Sequence, residues 1–358
     1  MIRFAAFCWS LIYSSVYRAT FYSIEWYRRT VFKKFKGDQL VDMKKDPAQL
    51  VQNSIYISGL ADKMLTVQHQ TGLEIVGVGA AGQPPSNKAT PRALWDYASE
   101  TVFHFGILKD ERAILKLLAD HPHPNIIDVI DVTQPEGIYL RKYRQLSELT
   151  STSQIDRILW YQDVLRALAH LHGLGVAHSD IRKDNILFDS GGQALLSDFG
   201  ASCPFGYPNP SLPVLSNGHS ETVSDATDMF AMASMIYELE CKVRPEISIN
   251  SANNLCFPAI QTGNNDLDSL IENAWKSNFD STLDMLRHAE RLSFSEGNRE
   301  PTCHPESKKE LHERVLSWRS ERINKYGCVV FSLQTESQIH TLAERYGWQP
   351  EEERRFSS

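Results

Sequence analysis

Residues 177–188, AHSDIRKDNILF, bring together side-chain types that can carry out phosphoryl transfer. The carboxylate of Asp180 can accept the proton of an attacking hydroxyl, and the amide of Asn185, five residues later, can bind a metal ion. Arg182 lies between them and can neutralise charge on the transferred group. Thirteen residues after Asn185, the sequence DFG begins with Asp198. The pattern predicts Asp180, Arg182 and Asn185 as catalytic residues, with Asn185 and Asp198 as ligands of Mg²⁺.

The stretch from about residue 72 to residue 292 resembles a eukaryotic protein kinase of the divergent group common in fungi. HSDIRKDN resembles the catalytic loop H-R-D-x-x-x-x-N, and DFG resembles the magnesium loop. ERAILKLLADHPHPNII resembles the αC helix and the turn that follows it, and TDMFAMASMIYEL resembles the buried αF helix. Aminoglycoside-phosphotransferase-like enzymes share the loop pattern H-x-D-x-x-x-x-N. The αC and αF patterns favour the protein kinase family instead.

The resemblance assigns roles to further residues. Glu111 would be the αC glutamate, and Asp228 would hold the backbone of the catalytic loop. Leu115, His178 and Phe199 would stack as the regulatory spine. ATP and Mg²⁺ are the implied cofactors, and a protein is the implied substrate or partner.

The expected fold class is α+β, a two-lobed protein-kinase-like fold with a reduced N-lobe and a helical C-lobe. The expected organisation, in chain order, is an aromatic and basic segment at 1–40, a lead-in at 41–70, a degenerate N-lobe at 71–143, a C-lobe at 144–292, and a linker, helix and flexible tail at 293–358.

Hydrophobic periodicity predicts the main elements of the two lobes. The pattern favours one or two helices over 95–118, a helix over 155–175, a buried helix over 226–240, helical structure over 265–292 and a charged helix over 308–325. The β-branched runs at 125–132 and 137–143 predict strands. The sequence of residues 204–220 predicts a long irregular loop.

Three glycines in GVGAAG have the spacing of a phosphate-binding loop. Gly77, Gly79 and Gly82 fit G-x-G-x-x-G and follow a short strand pattern, so the backbone there can approach phosphates. The sequence QPP after Gly82 does not suit a central strand. A nucleotide-binding loop at this position is an expectation that the following residues weaken.

The lysine that the family places on strand β3 is not obvious. Lys88 and Lys109 are the only lysines between Gly82 and Glu111, and Lys109 is two residues from Glu111. Lys88 has an acceptable spacing of 23 residues from Glu111, but its neighbours are turn formers. Lys88 is therefore the candidate nucleotide-binding lysine, in an N-lobe that has been shortened.

Two further departures concern the activation loop. Ser179 stands where the family has the arginine of H-R-D, which pairs with a phosphate on that loop. The resemblance therefore predicts no control by a phosphate there. No A-P-E sequence follows DFG, and its usual arginine partner is not evident, as expected because one buried charge without its partner would be costly.

Two functions from different classes remain open. The leading hypothesis is ATP-dependent transfer of phosphate to a protein Ser/Thr hydroxyl, with Ser/Thr favoured over Tyr by the KDN sequence of the loop. The alternative is a pseudokinase, a scaffold that binds nucleotide or a protein partner. A lysine over Asp198 would discriminate between them.

Composition and the N-terminal sequence limit the partners, the cysteine chemistry and the membrane contacts that we expect. The net charge of -7 gives no reason to expect nucleic-acid binding, and six scattered cysteines without a C-x-x-C pair favour reduced cytosolic thiols. Residues 4–17 are uncharged and aromatic, and basic residues follow up to Lys36. Fourteen uncharged residues are fewer than the roughly twenty that span a bilayer.

Three interpretations of this N-terminal stretch stand. The first is an interfacial anchor, with peripheral membrane contact through residues 4–36. The second is a leader of mitochondrial type, and the third is an aromatic helix packed on the main domain. The expected location is cytoplasmic, with membrane association under the first interpretation.

Overall fold

A helix of 30 residues, α1 (Pro91–Asp120), opens the part of the chain that the structure describes. Proline suits the first position of a helix because its missing N–H has no partner there. The helix ends before His121, where prolines at 122 and 124 prevent its continuation. Ile114 and Leu115 on its inner side are fully buried. The helix expected over 95–118 is confirmed as one continuous element.

The computed structural model describes residues 91–149, 153–212, 215–292, 306–327, 329 and 335–345. All of them fall within one unit, Lys63–Ser358. The segments expected at 1–40 and 41–70, and the first twenty residues of the expected N-lobe, lie outside the described residues.

Nine short strands form four small antiparallel sheets in the described part of the chain. Their bounds are β1 Val129–Asp131, β2 Tyr139–Leu140, β3 Arg144–Gln145, β4 Val176–Ala177, β5 Ile186–Phe188, β6 Ala194–Leu196, β7 Cys203–Pro204, β8 Ser248–Ile249 and β9 Leu255–Cys256. The pairs are β1 with β2, β3 with β5 and β5 with β6, β4 with β7, and β8 with β9. The strands expected within 125–132 and 137–143 are present as the short pair β1 and β2.

Six further α-helices follow α1 in the described residues. They are α2 Gln154–Gly173, α3 Asp225–Cys241, α4 Asn265–Trp275, α5 Thr282–Glu290, α6 Lys308–Tyr326 and α7 Glu336–Arg345. The expectations for α2, α3 and α6 are confirmed to within a residue or two, and the helical stretch 265–292 is divided into α4 and α5. None of the helices in these ranges is long and apolar enough to cross a membrane.

Local sequence signals explain where these helices begin and end. Ser153 caps α2, and Asp156 returns the contact to the Ser153 backbone as a capping box. Gly175, with φ +73°, allows the chain to turn immediately after α2. Ser307 and Glu310 form the same capping box at the start of α6.

The larger of two hydrophobic clusters in the described residues joins α1 to the helices of the C-lobe. Fully buried side chains from α2, α3, α4 and β6 meet Ile114 and Leu115 in one cluster: Leu165, Leu168, Met232, Ile236, Leu270 and Leu196. A buried ion pair also links α2 to α3, with Arg157 donating to both carboxylate oxygens of Glu240 at 2.7 and 2.8 Å. The two helices that frame the catalytic loop are therefore fixed by packing and by this pair.

The C-terminal arm, defined as α6 and α7, packs on the N-terminal side of the domain. Helix α6 lies against β1, and α7 lies against α1. The side chain of Glu136, in the turn between β1 and β2, is only 4% exposed and forms a two-point ion pair with Arg319 of α6. Tyr139 also donates to Glu136 at 2.6 Å. The arm is thus tied to the β1–β2 turn.

Helix α7 corrects one sequence-based expectation. Residues 293–358 were expected to hold one helix followed by a flexible tail, whereas Glu336–Arg345 form a second helix. The reason is tertiary, because its buried side chains, including Ile339 and Ala343, gain their apolar contacts from packing against a helix more than 200 residues earlier in the chain.

Loss of Arg319 should destabilise the domain because it leaves a buried carboxylate without its cation. We expect Arg319→Ala to lower the free energy of unfolding by about 2–3 kcal/mol in urea denaturation. Lys309→Ala on the same helix is the matched control. Lys309 is 85% exposed and lies 3.9 Å from Glu313, so its replacement should change the free energy by less than about 0.5 kcal/mol. Equal effects of the two variants would contradict the proposed attachment of the arm.

Candidate active site

A fully buried aspartate, Asp228, fixes the backbone of the catalytic loop. Its Oδ2 accepts the N–H of His178 at 2.6 Å, and its Oδ1 accepts the N–H of Ser179 at 2.9 Å. His172 Nε2 contributes a third contact to Oδ2 at 2.9 Å. Asp228 lies in the first turn of α3, where the helix dipole also favours a carboxylate. The residue that the resemblance assigned to this role occupies it.

The backbone on both sides of the site is held in a left-handed conformation. Ser179 has φ +65° and Asp198 has φ +64°, which costs a non-glycine residue free energy. Such backbone persists only when its surroundings determine it. At Ser179 the bond to Asp228 is one such constraint.

Ser197 ties the segment that carries Asp198 to the catalytic loop. Its N–H and its hydroxyl both donate to the carbonyl of Asn185, at 3.0 and 2.8 Å. His178 Nε2 donates to the Ser197 carbonyl at 3.1 Å. Asn185 and Asp198 are therefore neighbours in space, as their shared assignment to one metal site requires.

Asn185 also orients the side chain of Asp180. Asn185 is 97% buried, and its Nδ2 donates to the carbonyl of Asp180 at 2.8 Å and to the carboxylate at 2.9 Å. The Asp180 side chain is 31% exposed. It is consequently fixed in direction and accessible to a hydroxyl group.

Arg182 lies beside the same carboxylate. Its Nε is 3.3 Å from Asp180 Oδ2, and its Nη1 is 3.9 Å from Asp184. Arg182 Nε is buried and makes no hydrogen bond to the described residues. A donor in this position suits the oxygens of a phosphoryl group.

The carboxylate of Glu111 is buried near enough to Asp198 for the two charges to repel each other. Burial, followed by repulsion from Asp198, raises the pKa of Glu111 from 4.5 to about 7, and Arg112 offsets part of this effect. Arg112 itself is turned toward the β1–β2 turn, where it donates to the carbonyls of Gln134 and Gly137. Within the described residues Glu111 has no hydrogen bond or ion pair.

These residues fit a divalent cation. Mg²⁺ takes one or two oxygen ligands from a protein and completes its shell with phosphate and water. Asp198 supplies a carboxylate that makes no hydrogen bond to the described residues, and Asn185 Oδ1 is likewise not engaged there. Among the described residues, no three or more His, Cys, Asp or Glu side chains are clustered so that they could hold a metal ion by themselves. The donor set therefore suits a shared magnesium–phosphate site better than a zinc site.

The nucleotide-binding candidates of the N-lobe have a different outcome. Gly77, Gly79, Gly82 and Lys88 lie outside the described residues, so their assignment stays a prediction.

Lys109 is part of α1, as is Glu111. The three residues assigned to the spine are all buried in the structure, and the rings of His178 and Phe199 meet edge to face at 5.1 Å.

Comparison with known proteins agrees with this geometry. The family model described as protein kinase domain matches residues 106–303, which is more than half of the chain. The chain belongs to the protein kinase domain family. The match begins within α1, so the glycine-rich stretch and Lys88 lie outside it.

Individual relatives are more distant. Serine/threonine-protein kinase ppk6 of Schizosaccharomyces pombe is 27% identical over 213 residues, covering 50% of this chain and 27% of its own length. CBL-interacting serine/threonine-protein kinase 24 of Arabidopsis thaliana is 32% identical over 108 residues, covering 26% of this chain and 23% of its own length. Probable cyclin-dependent kinase 10 of Dictyostelium discoideum is 28% identical over 181 residues, covering 44% of each chain. The kinase chain spans less than half the length of these curated relatives.

The kinase domain also contains site residues that sequence patterns missed. Ser202 donates from its hydroxyl to the carbonyl of His178 at 3.2 Å, and Asn217 donates from its side-chain amide to the carbonyl of Ser179 at 2.8 Å. Both belong to the loop that follows DFG. Only an irregular loop was expected over most of it, and no periodic signal marks either residue.

Removal of the Glu111 charge should stabilise the kinase domain at alkaline pH. Because folding raises the pKa of Glu111 from 4.5 to about 7, the free energy of unfolding falls as pH rises through that interval. In EDTA at pH 8, Glu111→Gln should be more stable than wild type by on the order of 1–3 kcal/mol. The difference should vanish near pH 4.5, where Glu111 is protonated in the folded state.

Calorimetric melting curves at the two pH values measure this difference. Glu321→Gln, at an exposed glutamate of α6, is the matched control and should follow the wild type. Identical melting of Glu111→Gln and wild type at pH 8 would show that a cation neutralises Glu111 in the folded chain.

Proposed function

We propose that this chain is an ATP- and Mg²⁺-dependent protein kinase that phosphorylates serine or threonine hydroxyls. The observation that carries the proposal is the joint placement of Asp180, Asn185 and Asp198, on two loops held together by Ser197. The names of the relatives support the serine/threonine class. Membership of the kinase family supports ATP as the donor.

Each residue has a distinct part in this reaction. Asp180 orients the attacking hydroxyl and accepts its proton, and its exposed edge leaves room for a substrate side chain. The guanidinium of Arg182, whose Nε makes no hydrogen bond to the described residues, neutralises charge on the phosphoryl group. Asp198 and Asn185 would hold Mg²⁺, which when bound shields the charge of the nucleotide phosphates.

The residues that bind the nucleotide phosphates are part of the same proposal. Gly77, Gly79 and Gly82 would bring backbone N–H groups to the phosphates, and Lys88 is the candidate for contact with Glu111. The start of α1 at Pro91 leaves two residues between Lys88 and the helix. An exposed lysine, as the turn-forming neighbours of Lys88 in the sequence predict, would have a weak interaction with Glu111, because solvent screens exposed pairs.

Graded loss of function tests the proposed kinase activity. Mg·ATP should raise the melting temperature of wild type by linkage, and Asp198→Ala should abolish that shift. Asp180→Asn should keep the shift, whereas phosphate transfer to a protein substrate should fall roughly 10²–10⁴-fold. Asp280→Asn, at an exposed aspartate between α4 and α5, is the control and should retain both properties.

Two outcomes would favour the pseudokinase alternative. One is the absence of a shift at millimolar Mg·ATP, and the other is transfer activity unaffected by Asp180→Asn. Lys88→Met should have a mild effect in the same assays. Severe loss at Lys88 would instead show that a complete lysine–glutamate pair exists.

We further propose that residues 4–36 place the kinase at a membrane surface. The support is the uncharged aromatic run at 4–17 followed by basic residues, a combination that suits an anionic interface. Deletion of residues 1–36 should release the protein from anionic vesicles in a flotation assay, and high salt should weaken binding of the full chain. Flotation unchanged by the deletion would contradict this proposal.

A further inference from the structure

Two consecutive residues of the catalytic loop, His178 and Ser179, have all four backbone polar groups engaged. Their N–H groups donate to Asp228. Their carbonyls accept from the side chains of Ser202 and Asn217. The loop is therefore clamped between α3 on one side and the segment after DFG on the other.

Of the two side chains that donate to these carbonyls, Asn217 contacts the carbonyl nearer to Asp180 in the sequence. It is 98% buried, and its Nδ2 lies 2.8 Å from the Ser179 carbonyl. The acceptor is the residue with φ +65°, immediately before Asp180. A hydrogen bond at this carbonyl acts directly on the peptide group that sets the direction of Asp180.

A network of side chains fixes Asn217 itself. Its backbone N–H donates to Ser211 Oγ at 3.1 Å, and Ser211 Oγ donates to Asn209 Oδ1 at 2.9 Å. Asn209 in turn donates to the carbonyl of Ser220 at 2.9 Å. The next residue, Gly218, has φ +77° and lies against the ring of Phe230, where an added Cβ would be 3.4 Å from the ring. The described part of the segment is thus held by neutral hydrogen bonds and packing.

The chemistry at position 179 explains why a neutral contact is significant. Serine has no charge with which to bind a phosphate, and its hydroxyl lies 3.8 Å from the buried Cys203 sulfur. A phosphate on the segment would find no cation at this position. An amide-to-carbonyl bond needs neither a modification nor a particular charge state of its partners.

We propose that Asn217 is a positioning residue that orders the catalytic loop in place of a phosphate–arginine contact, so that the site is formed without modification of the segment. The proposal rests on the proposed kinase function for its effect on turnover, but its effect on loop order is independent of that function. Loss of the bond leaves a buried carbonyl unpaired and removes one constraint on the left-handed backbone of Ser179. Asp180 then loses its fixed direction.

The first measurement needs no enzymatic activity. Hydrogen–deuterium exchange is followed in the peptide covering residues 177–185 of the full chain, for wild type, Asn217→Ala and the control Asn278→Ala at an exposed site. Exchange should be about tenfold faster in Asn217→Ala, as for the loss of one buried hydrogen bond, and unchanged in the control. Unchanged exchange in Asn217→Ala overturns the proposal.

The second measurement separates positioning from general stability. Asn217→Ala should lower kcat by about tenfold or more, while KM for ATP stays within about twofold, because the substrate hydroxyl and not the nucleotide depends on Asp180. Phosphatase treatment of wild type should leave kcat unchanged. A rise in KM with kcat unchanged, or loss of kcat on phosphatase treatment, overturns the proposal.

Two outcomes need a second comparison: failure of Asn217→Ala to fold, and absence of phosphate transfer by wild type. If Asn217→Ala fails to fold, Asn217→Ser replaces it, because the shorter hydroxyl leaves room for a bridging water and should show a smaller change in the same direction. If wild type transfers no phosphate under any condition, the kinase proposal fails. The exchange comparison still decides whether Asn217 orders the loop.

Discussion

The buried carboxylate of Asp228 is the constraint on which the site depends. A charged group without solvent requires hydrogen-bond donors, and Asp228 obtains two of them from the backbone of the catalytic loop. The same bonds hold Ser179 in a backbone conformation that it would not adopt alone. Because the loop supplies these donors, the buried carboxylate of Asp228 fixes the loop that carries Asp180. Because Asp228 is in the first turn of α3, the position of the loop follows from the packing of that helix in the core.

The remaining groups of the site are linked to the Asp228-bound loop by a few hydrogen bonds. His178 and Ser197 link the catalytic loop to the strand that leads into DFG, and Asn185 accepts both donors of Ser197 at one carbonyl. Asn185 then directs the Asp180 carboxylate with its own amide. Apart from the bonds to the carboxylates of Asp228 and Asp180, the hydrogen bonds of this network join neutral groups. Charge is concentrated where a cation and phosphates would be bound, at Asp198, Glu111 and Arg182.

Much of this could be predicted from the sequence because the information is local. The spacing of Asp180 and Asn185 fixes both on one loop, and helix periodicity located α2 and α3 to within a residue or two. The contacts of Asn217 and Arg319 could not be predicted in this way. They join residues 38 and 183 positions apart, and a single polar residue in an irregular loop or on a charged helix leaves no periodic trace. The second helix of the arm was missed because the apolar contacts that stabilise it come from a helix more than 200 residues earlier in the chain.

The C-terminal arm helps to hold the helix that carries Glu111 in position. The β1–β2 turn receives Arg112 from α1 on its carbonyls and Arg319 from α6 on the Glu136 carboxylate. Because both arginines bind residues of one four-residue turn, movement of α1 relative to α6 would break contacts at the turn. Helix α7 packs on α1 directly and adds apolar contact to these polar ones. Within the residues that the structure describes, the orientation of α1, and with it the position of Glu111, is therefore held by the C-terminal arm as well as by the hydrophobic core.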